Sequence, residues 1–151
     1  AILYEQMKER KIHRTYLAIV SGKLTESGTI DLPIGRKSES VIERCVDKTH
    51  GERAVTHYEV LEARTDQTLV KCQLETGRTH QIRVHMQAIG HPLVGDFLYN
   101  PHALREERPL LHSWRLAFTH PVSGDEVYFT APVPADMQGW KWFQPDKMKV
   151  T

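Results

Sequence analysis

The chain has 151 residues, enough for one domain with its own core. It is 40% hydrophobic and 26% charged, with a net charge of +1 and an isoelectric point near 8.0. That balance belongs to an ordinary globular protein and excludes a strong global field for polyanions; no apolar run approaches the ~20 residues a membrane helix needs.

The opening Ala1-Ile2-Leu3-Tyr4-Glu5 is neither a signal peptide nor an initiator methionine, and it reads as a piece of something longer. Residues 2–11 read as the end of a helix with a charged outer face. Arg14 to Ser21 reads as a strand ended by Gly22, and Gly28 to Gly35 as a short strand broken by Pro33 and Gly35. Val41 to Val46 is a weaker strand candidate. Ala54 to Ala63 and Thr68 to Glu75 read as a hairpin across Arg64-Thr65-Asp66-Gln67. The period then changes: Ile82, Met86 and Ile89 are spaced by four and three, which predicts a helix, with Thr79 as N-cap and Gly90 just past its end. Leu110 to Leu116 and Glu126 to Ala131 predict further short elements around a turn at Gly124, and Trp140 to Phe143 a short aromatic helix. The sum is an α+β domain, mostly antiparallel, with few helices.

The two cysteines, Cys45 and Cys72, have neither disulfide-framework nor metal spacing, and Cys72 alternates with Val70 and Leu74 as a core strand residue. A reducing, cytoplasmic setting follows from this usage. His80, His85 and His91 do not form a helical ligand pair and have no Cys or nearby Glu to complete a metal site. Basic residues cluster locally: Lys8, Arg10, Lys11 and Arg14 near the start, then Arg36 and Lys37, then Arg78 and Arg83. A locally basic groove on a near-neutral domain is able to bind RNA. The densest polar stretch is Leu74-Glu75-Thr76-Gly77-Arg78-Thr79-His80-Gln81-Ile82-Arg83-Val84-His85. It puts two arginines, two histidines and an amide into one strand-to-helix junction, a place suited to anions and polar ligands.

That junction resembles the third sequence motif of the RluA-like pseudouridine synthases. Lys11 to Gly22 is similar to the family's second motif, centred on Tyr16, and Ile30 to Arg36 and Ala54 to Val60 to the segments that follow it. Gly90 to Asp96 and Leu111 to Pro121 resemble its C-terminal signatures. The ordered set runs from about Lys11 to Pro134. Two departures stand out. The lysine usual two places before the tyrosine is Arg14 here, and no His-Arg-Leu-Asp-like segment, which carries the family's nucleophilic aspartate, is present. The resemblance therefore implies that residues 1–151 are a partial catalytic domain whose aspartate comes from an upstream segment of the same protein.

The implied reaction breaks the N1 glycosidic bond of a uridine in structured RNA (rRNA or tRNA), turns the base and rejoins it through C5, without metal or organic cofactor. The resemblance gives Arg83 the role of pairing with the nucleophilic aspartate, and Tyr16 that of stacking on uracil or relaying a proton. Arg78, His80 and Gln81 are candidate RNA contacts at the turn, with Gln81 alternatively capping the helix; Arg36 and Lys37 are candidate phosphate contacts. Asp96, after Gly95, reads as a turn residue or a supporting partner rather than as the nucleophile, and Glu75 as a strand-end partner for a basic residue. The rival expectation is a non-catalytic RNA-binding module that kept the groove and lost the nucleophile.

Overall fold

The computed structural model describes residues 12–143; the helix expected over 2–11, with Lys8, Arg10 and Lys11, lies outside them. Six antiparallel strands form the main sheet in the order β2-β5-β6-β1-β7-β8. They are β1 (His13–Ser21), β2 (Gly28–Asp31), β5 (Val55–Ala63), β6 (Gln67–Leu74), β7 (Leu111–Thr119) and β8 (Glu126–Thr130). A separate two-stranded hairpin pairs β3 (Ile34–Arg36) with β4 (Arg44–Val46). One α-helix, α1 (Gln81–Ala88), is present among the described residues, and no helix among them is long and apolar enough to cross a membrane. The architecture is the mostly antiparallel α+β arrangement that the periodicities predict.

β1 lies at the centre because it is apolar on both faces. Ala18 and Val20 point to the side of α1, where they meet Val70, Cys72, Ile82, Met86 and Leu93. Leu17 and Ile19 point the other way, onto Leu69, Trp114, Met137 and Trp140. Each fully buried side chain of this size contributes roughly 1.5–3 kcal/mol. The Cys72 thiol is wholly buried, and desolvation pushes its pKa up to about 12. Trp140, Trp142 and Phe143, at the C-terminal 3₁₀ turn Lys141–Phe143, close the second layer.

Two local features place the site. The β1–β7 register slips between Thr15 and Tyr16, which pair with Arg115 and Ser113. Trp114 is the extra residue of this bulge and fills the core on the far side, while Tyr16 stays on the face of α1. The helix begins one residue later than its sequence suggests: the N-cap is His80, in the left-handed conformation at φ 57°, and not Thr79. At the other end Gly90, at φ 86°, donates to the Gln87 carbonyl, and His91 reaches back to that of Met86.

Candidate active site

The junction between β6 and α1 is held by a buried chain of hydrogen bonds. The Val55 amide donates to Thr76 Oγ1 (3.0 Å), which donates to Gln81 Oε1 (2.8 Å). The Arg78 amide donates to the same oxygen at 3.0 Å. Gln81 Nε2 donates to the Val55 carbonyl (2.9 Å) and to Thr56 Oγ1 (3.0 Å). Thr56 in turn lies 2.8 Å from His85 Nδ1, and His85 Nε2 lies 2.9 Å from the Leu32 carbonyl. A carbonyl only accepts, so His85 carries its proton on Nε2 and takes the Thr56 hydroxyl hydrogen on Nδ1. Burial pushes the His85 pKa below the ordinary histidine value.

Gln81 therefore differs from its sequence reading as an RNA contact. It is buried, and both amide hydrogens and the carbonyl oxygen are spent inside the protein. Its capping alternative is nearer the geometry, because Oε1 receives the Arg78 amide that the short turn leaves unpaired. Thr79, which a sequence rule makes the cap, is exposed.

One turn along α1, Arg83 has a carboxylate partner within the chain. Its Nε donates to Asp96 Oδ2 at 2.8 Å and its Nη2 to Asp96 Oδ1 at 2.7 Å. This corrects the expectation that the partner of Arg83 lies wholly outside these residues. Asp96 is fully buried, and its Oδ1 also accepts the Leu98 amide. The pair raises the Arg83 pKa above its ordinary value, chiefly through the hydrogen bond to Asp96. Gly95, at φ 81°, lets the chain turn here, and a Cβ at that position would run into the Arg108 carbonyl. The guanidinium meets Asp96 along its Nε–Nη2 side. Nη1 has no partner among the described residues.

Tyr99 joins this pair to the turn. Its ring lies 5.1 Å from the Arg83 guanidinium carbon and edge-on to His80. Its hydroxyl accepts the Arg44 amide at 2.9 Å and sits 2.7 Å from His80 Nδ1. Desolvation raises the Tyr99 pKa; desolvation and then the Arg83 charge lower that of His80. Neither Tyr99 nor Arg44 was singled out from the sequence. The only local signal was an aromatic residue soon after Gly95-Asp96.

Arg83, His80 and Tyr16 line one cleft of about 270 Å³, with Arg14, Leu74, Gly77, Ile82 and Leu111. Arg14 spreads its guanidinium over Gly77, where a side chain would displace it. Leu74, Ile82 and Leu111 give the floor an apolar surface, and the arginines and His80 give polar edges, the combination that holds a planar heterocycle. A second recess of about 350 Å³ adjoins it through Gly77 and Arg78 and is lined by Arg36, Arg44, Glu52 and Thr79.

The basic candidates fall around that recess. Arg36 faces Arg44 across the β3–β4 hairpin, a like-charge pairing that costs stability unless something else gains from it. Arg44 Nη1 donates to the carbonyls of Val41, Ile42 and Glu43, while Arg36 is exposed. Lys37 pairs with Glu43 at 3.1 Å. Arg78 donates to the Arg53 carbonyl and to Glu52, and Glu75 takes Arg53 and His57, as its strand-end position suggested. These pairs are exposed or half-exposed, worth little each, and separable by a competing anion.

Comparisons with known proteins bear on the family of the whole chain. Residues 1–88 match the model of the RNA pseudouridylate synthase family. An uncharacterized RNA pseudouridine synthase of Bacillus subtilis is 48% identical over 138 residues, covering 91% of this chain and 48% of that protein. The ribosomal large subunit pseudouridine synthase D of Nitrosomonas europaea is 45% identical over 144 residues, covering 89% of this chain and 42% of that protein. Among solved structures, human RNA pseudouridylate synthase domain containing 1 superposes with a TM-score of 0.72 at 32% identity, over 95% of this chain and 60% of that one. The chain spans about half the length of the curated relatives it matches. With its motifs in order and the family model matched over more than half its residues, the chain belongs to the RNA pseudouridylate synthase family.

Proposed function

We propose that this chain is the larger part of the catalytic domain of an RNA pseudouridine synthase that isomerises uridine in structured RNA. The observation that carries the proposal is Arg83: it is anchored side-on to a buried aspartate, and its Nη1 end remains for a second carboxylate beside the cleft. A guanidinium held this way keeps a nucleophilic carboxylate ionised and aimed. The nucleophile is an aspartate supplied by a preceding segment of the same protein. Tyr16, on the cleft wall, lies against the uracil while it is detached and turned. His80 touches the base, and Arg36, Lys37 and Arg78 meet the RNA backbone, with Gln81 holding the turn that presents them. The names of relatives such as the Nitrosomonas europaea protein favour ribosomal RNA over tRNA as substrate, and the site of action is the cytoplasm. The reaction is an isomerisation and draws on no cofactor.

The test is release of tritium from RNA labelled at uridine C5. The complete protein is expected to turn over, and the isolated 151-residue chain to be inactive. Turnover by the isolated chain would sink the assignment of an outside nucleophile. In the complete protein, Arg83→Lys keeps a charge on Asp96 but loses the second edge. It should lower kcat by about 100-fold, the scale of a lost transition-state contact, with RNA binding nearly unchanged. Equal loss of binding and turnover would make Arg83 a phosphate contact, and a complete protein that binds RNA without turnover would be the rival non-catalytic RNA-binding module.

A further inference from the structure

The contact between Tyr99 and His80 has a determinate proton arrangement. Tyr99 Oη accepts the Arg44 amide and lies 2.7 Å from His80 Nδ1. The tyrosine is 4% exposed. If His80 Nδ1 were protonated, Oη would receive two N–H groups and its own hydrogen would have no acceptor among the described residues, a cost of about 1–3 kcal/mol for a buried donor. The arrangement that satisfies every group has the hydroxyl donating to a bare Nδ1. The imidazole proton is then on Nε2. Burial and the neighbouring Arg83 charge keep the ring neutral in that form. Nε2 has no partner among the described residues, and His80 lines the cleft.

The backbone gives the same indication. His80 is one of two non-glycine residues at positive φ among the described residues. It occupies the N-cap without using its side chain to cap the helix. A left-handed residue at the start of a helix costs on the order of 1 kcal/mol, and such outliers persist where the surroundings impose them. Here the imposed result is an imidazole clamped from behind by Tyr99 and open toward the cleft.

We infer that His80 is a catalytic residue that donates a hydrogen bond through Nε2 to a carbonyl oxygen of the target uracil, and that Tyr99 is the positioning residue that fixes the proton on Nε2. The inference rests on the proposed isomerisation. When the glycosidic bond breaks, its electron pair departs with the uracil, and negative charge spreads onto the ring's carbonyl oxygens. A fixed N–H stabilises that charge more than it stabilises the neutral base, so its effect falls on kcat rather than on KM. His80 and Tyr99 take no part in moving the proton that leaves C5: His80 stays neutral and Tyr99 keeps its hydrogen throughout. The Nδ1–H tautomer would turn an acceptor toward the carbonyl, and an imidazolium, though it still donates through Nε2, would leave the Tyr99 hydroxyl without its acceptor.

The test uses the complete protein. Long-range proton–nitrogen correlation spectra read the tautomer of His80 directly, and the wild type is expected to show the Nε2-protonated neutral ring at pH 7. Tyr99→Phe removes only the hydroxyl and should give a mixture of tautomers. In tritium-release kinetics Tyr99→Phe should lower kcat by about tenfold, as loss of an orienting partner does. His80→Gly, which removes the ring without straining the backbone at φ 57°, should lower kcat by about 100-fold. KM should move less than about threefold in both variants. An Nδ1-protonated or charged ring in the wild type, or an active wild type whose variants keep kcat, overturns the role of His80 and leaves the isomerisation standing. A complete wild-type protein that releases no tritium overturns the isomerisation and this role together.

Discussion

At the scale of single residues, Asp96 carries more of the site than its place in a loop suggests. It has no exposure, and it holds Arg83 by two hydrogen bonds. Removing one partner of a buried pair leaves the other charge uncompensated, at a cost of about 3 kcal/mol. Asp96→Ala should therefore lower Tm by several degrees in thermal unfolding and reduce kcat more than RNA affinity, because the Arg83 guanidinium loses its anchor. The sequence leaves Asp96 as either a turn residue or a supporting partner and does not name what it supports. The two residues are 13 apart, on a helix and in a loop, and only the Gly95 turn brings the carboxylate under the guanidinium. Gln81 illustrates the opposite case. An amide in a polar motif reads as a ligand contact, yet every hydrogen-bonding group it has closes the junction. Chemistry-bearing residue types are legible in a sequence; which of them are already occupied by the fold is not.

At the scale of elements, the β3–β4 hairpin and the β6–α1 turn act together. The hairpin places Arg36 and Arg44 on the recess, and its Arg44 amide is tied to Tyr99, which also holds His80. Under the proposed function, a phosphodiester entering the recess would give the facing arginines a partner and offset their mutual repulsion. Arg36→Gln should weaken RNA binding for all sequences alike and reduce the slope of log affinity against log salt by about one, as measured by filter binding from low to moderate salt. An unchanged slope would remove Arg36 from the interface. Strand and helix positions were legible because the period of the apolar residues changes from two to about 3.6 at the junction. The helix start was not. The rule that a Thr caps an N-terminus is local, and here the Gln81 side chain and the Tyr99–His80 contact set the boundary at His80.

At the scale of the whole molecule, the buried His85 links stability to pH. His85 is fully buried between Thr56 and the Leu32 carbonyl, and burial lowers its pKa. The unfolded chain binds a proton at His85 more readily than the folded one. Its contribution to stability is thus complete above the ordinary histidine pKa of about 6.5 and is lost as pH falls below that toward the lowered folded value. Tm should hold between pH 8 and 7 and decline from about pH 6.5 downward. In His85→Gln that decline should be shallower, although the variant starts from a lower Tm because it lacks the buried imidazole. A wild-type Tm equally flat at pH 5.5 and 7.5 would contradict this account.

The amino-acid sequence by itself determined the alternation that makes a mostly antiparallel sheet, the apolar strand β1 that centres it, and the ordered motifs that mark the family. Those are properties of neighbours along the chain, set by local sterics and by the periods of strand and helix. Tertiary structure alone decided that Arg83 rests on Asp96, that Tyr99 meets His80 Nδ1, that Gln81 turns inward, and that Arg44 joins the recess. Each of these is a contact between segments that the chain brings together only when the β6–α1 junction, the loop after Gly95 and the β3–β4 hairpin pack against one another. Hydrogen-bond geometry is satisfied or lost within a few tenths of an ångström, so it is specified by that packing and not by residue type.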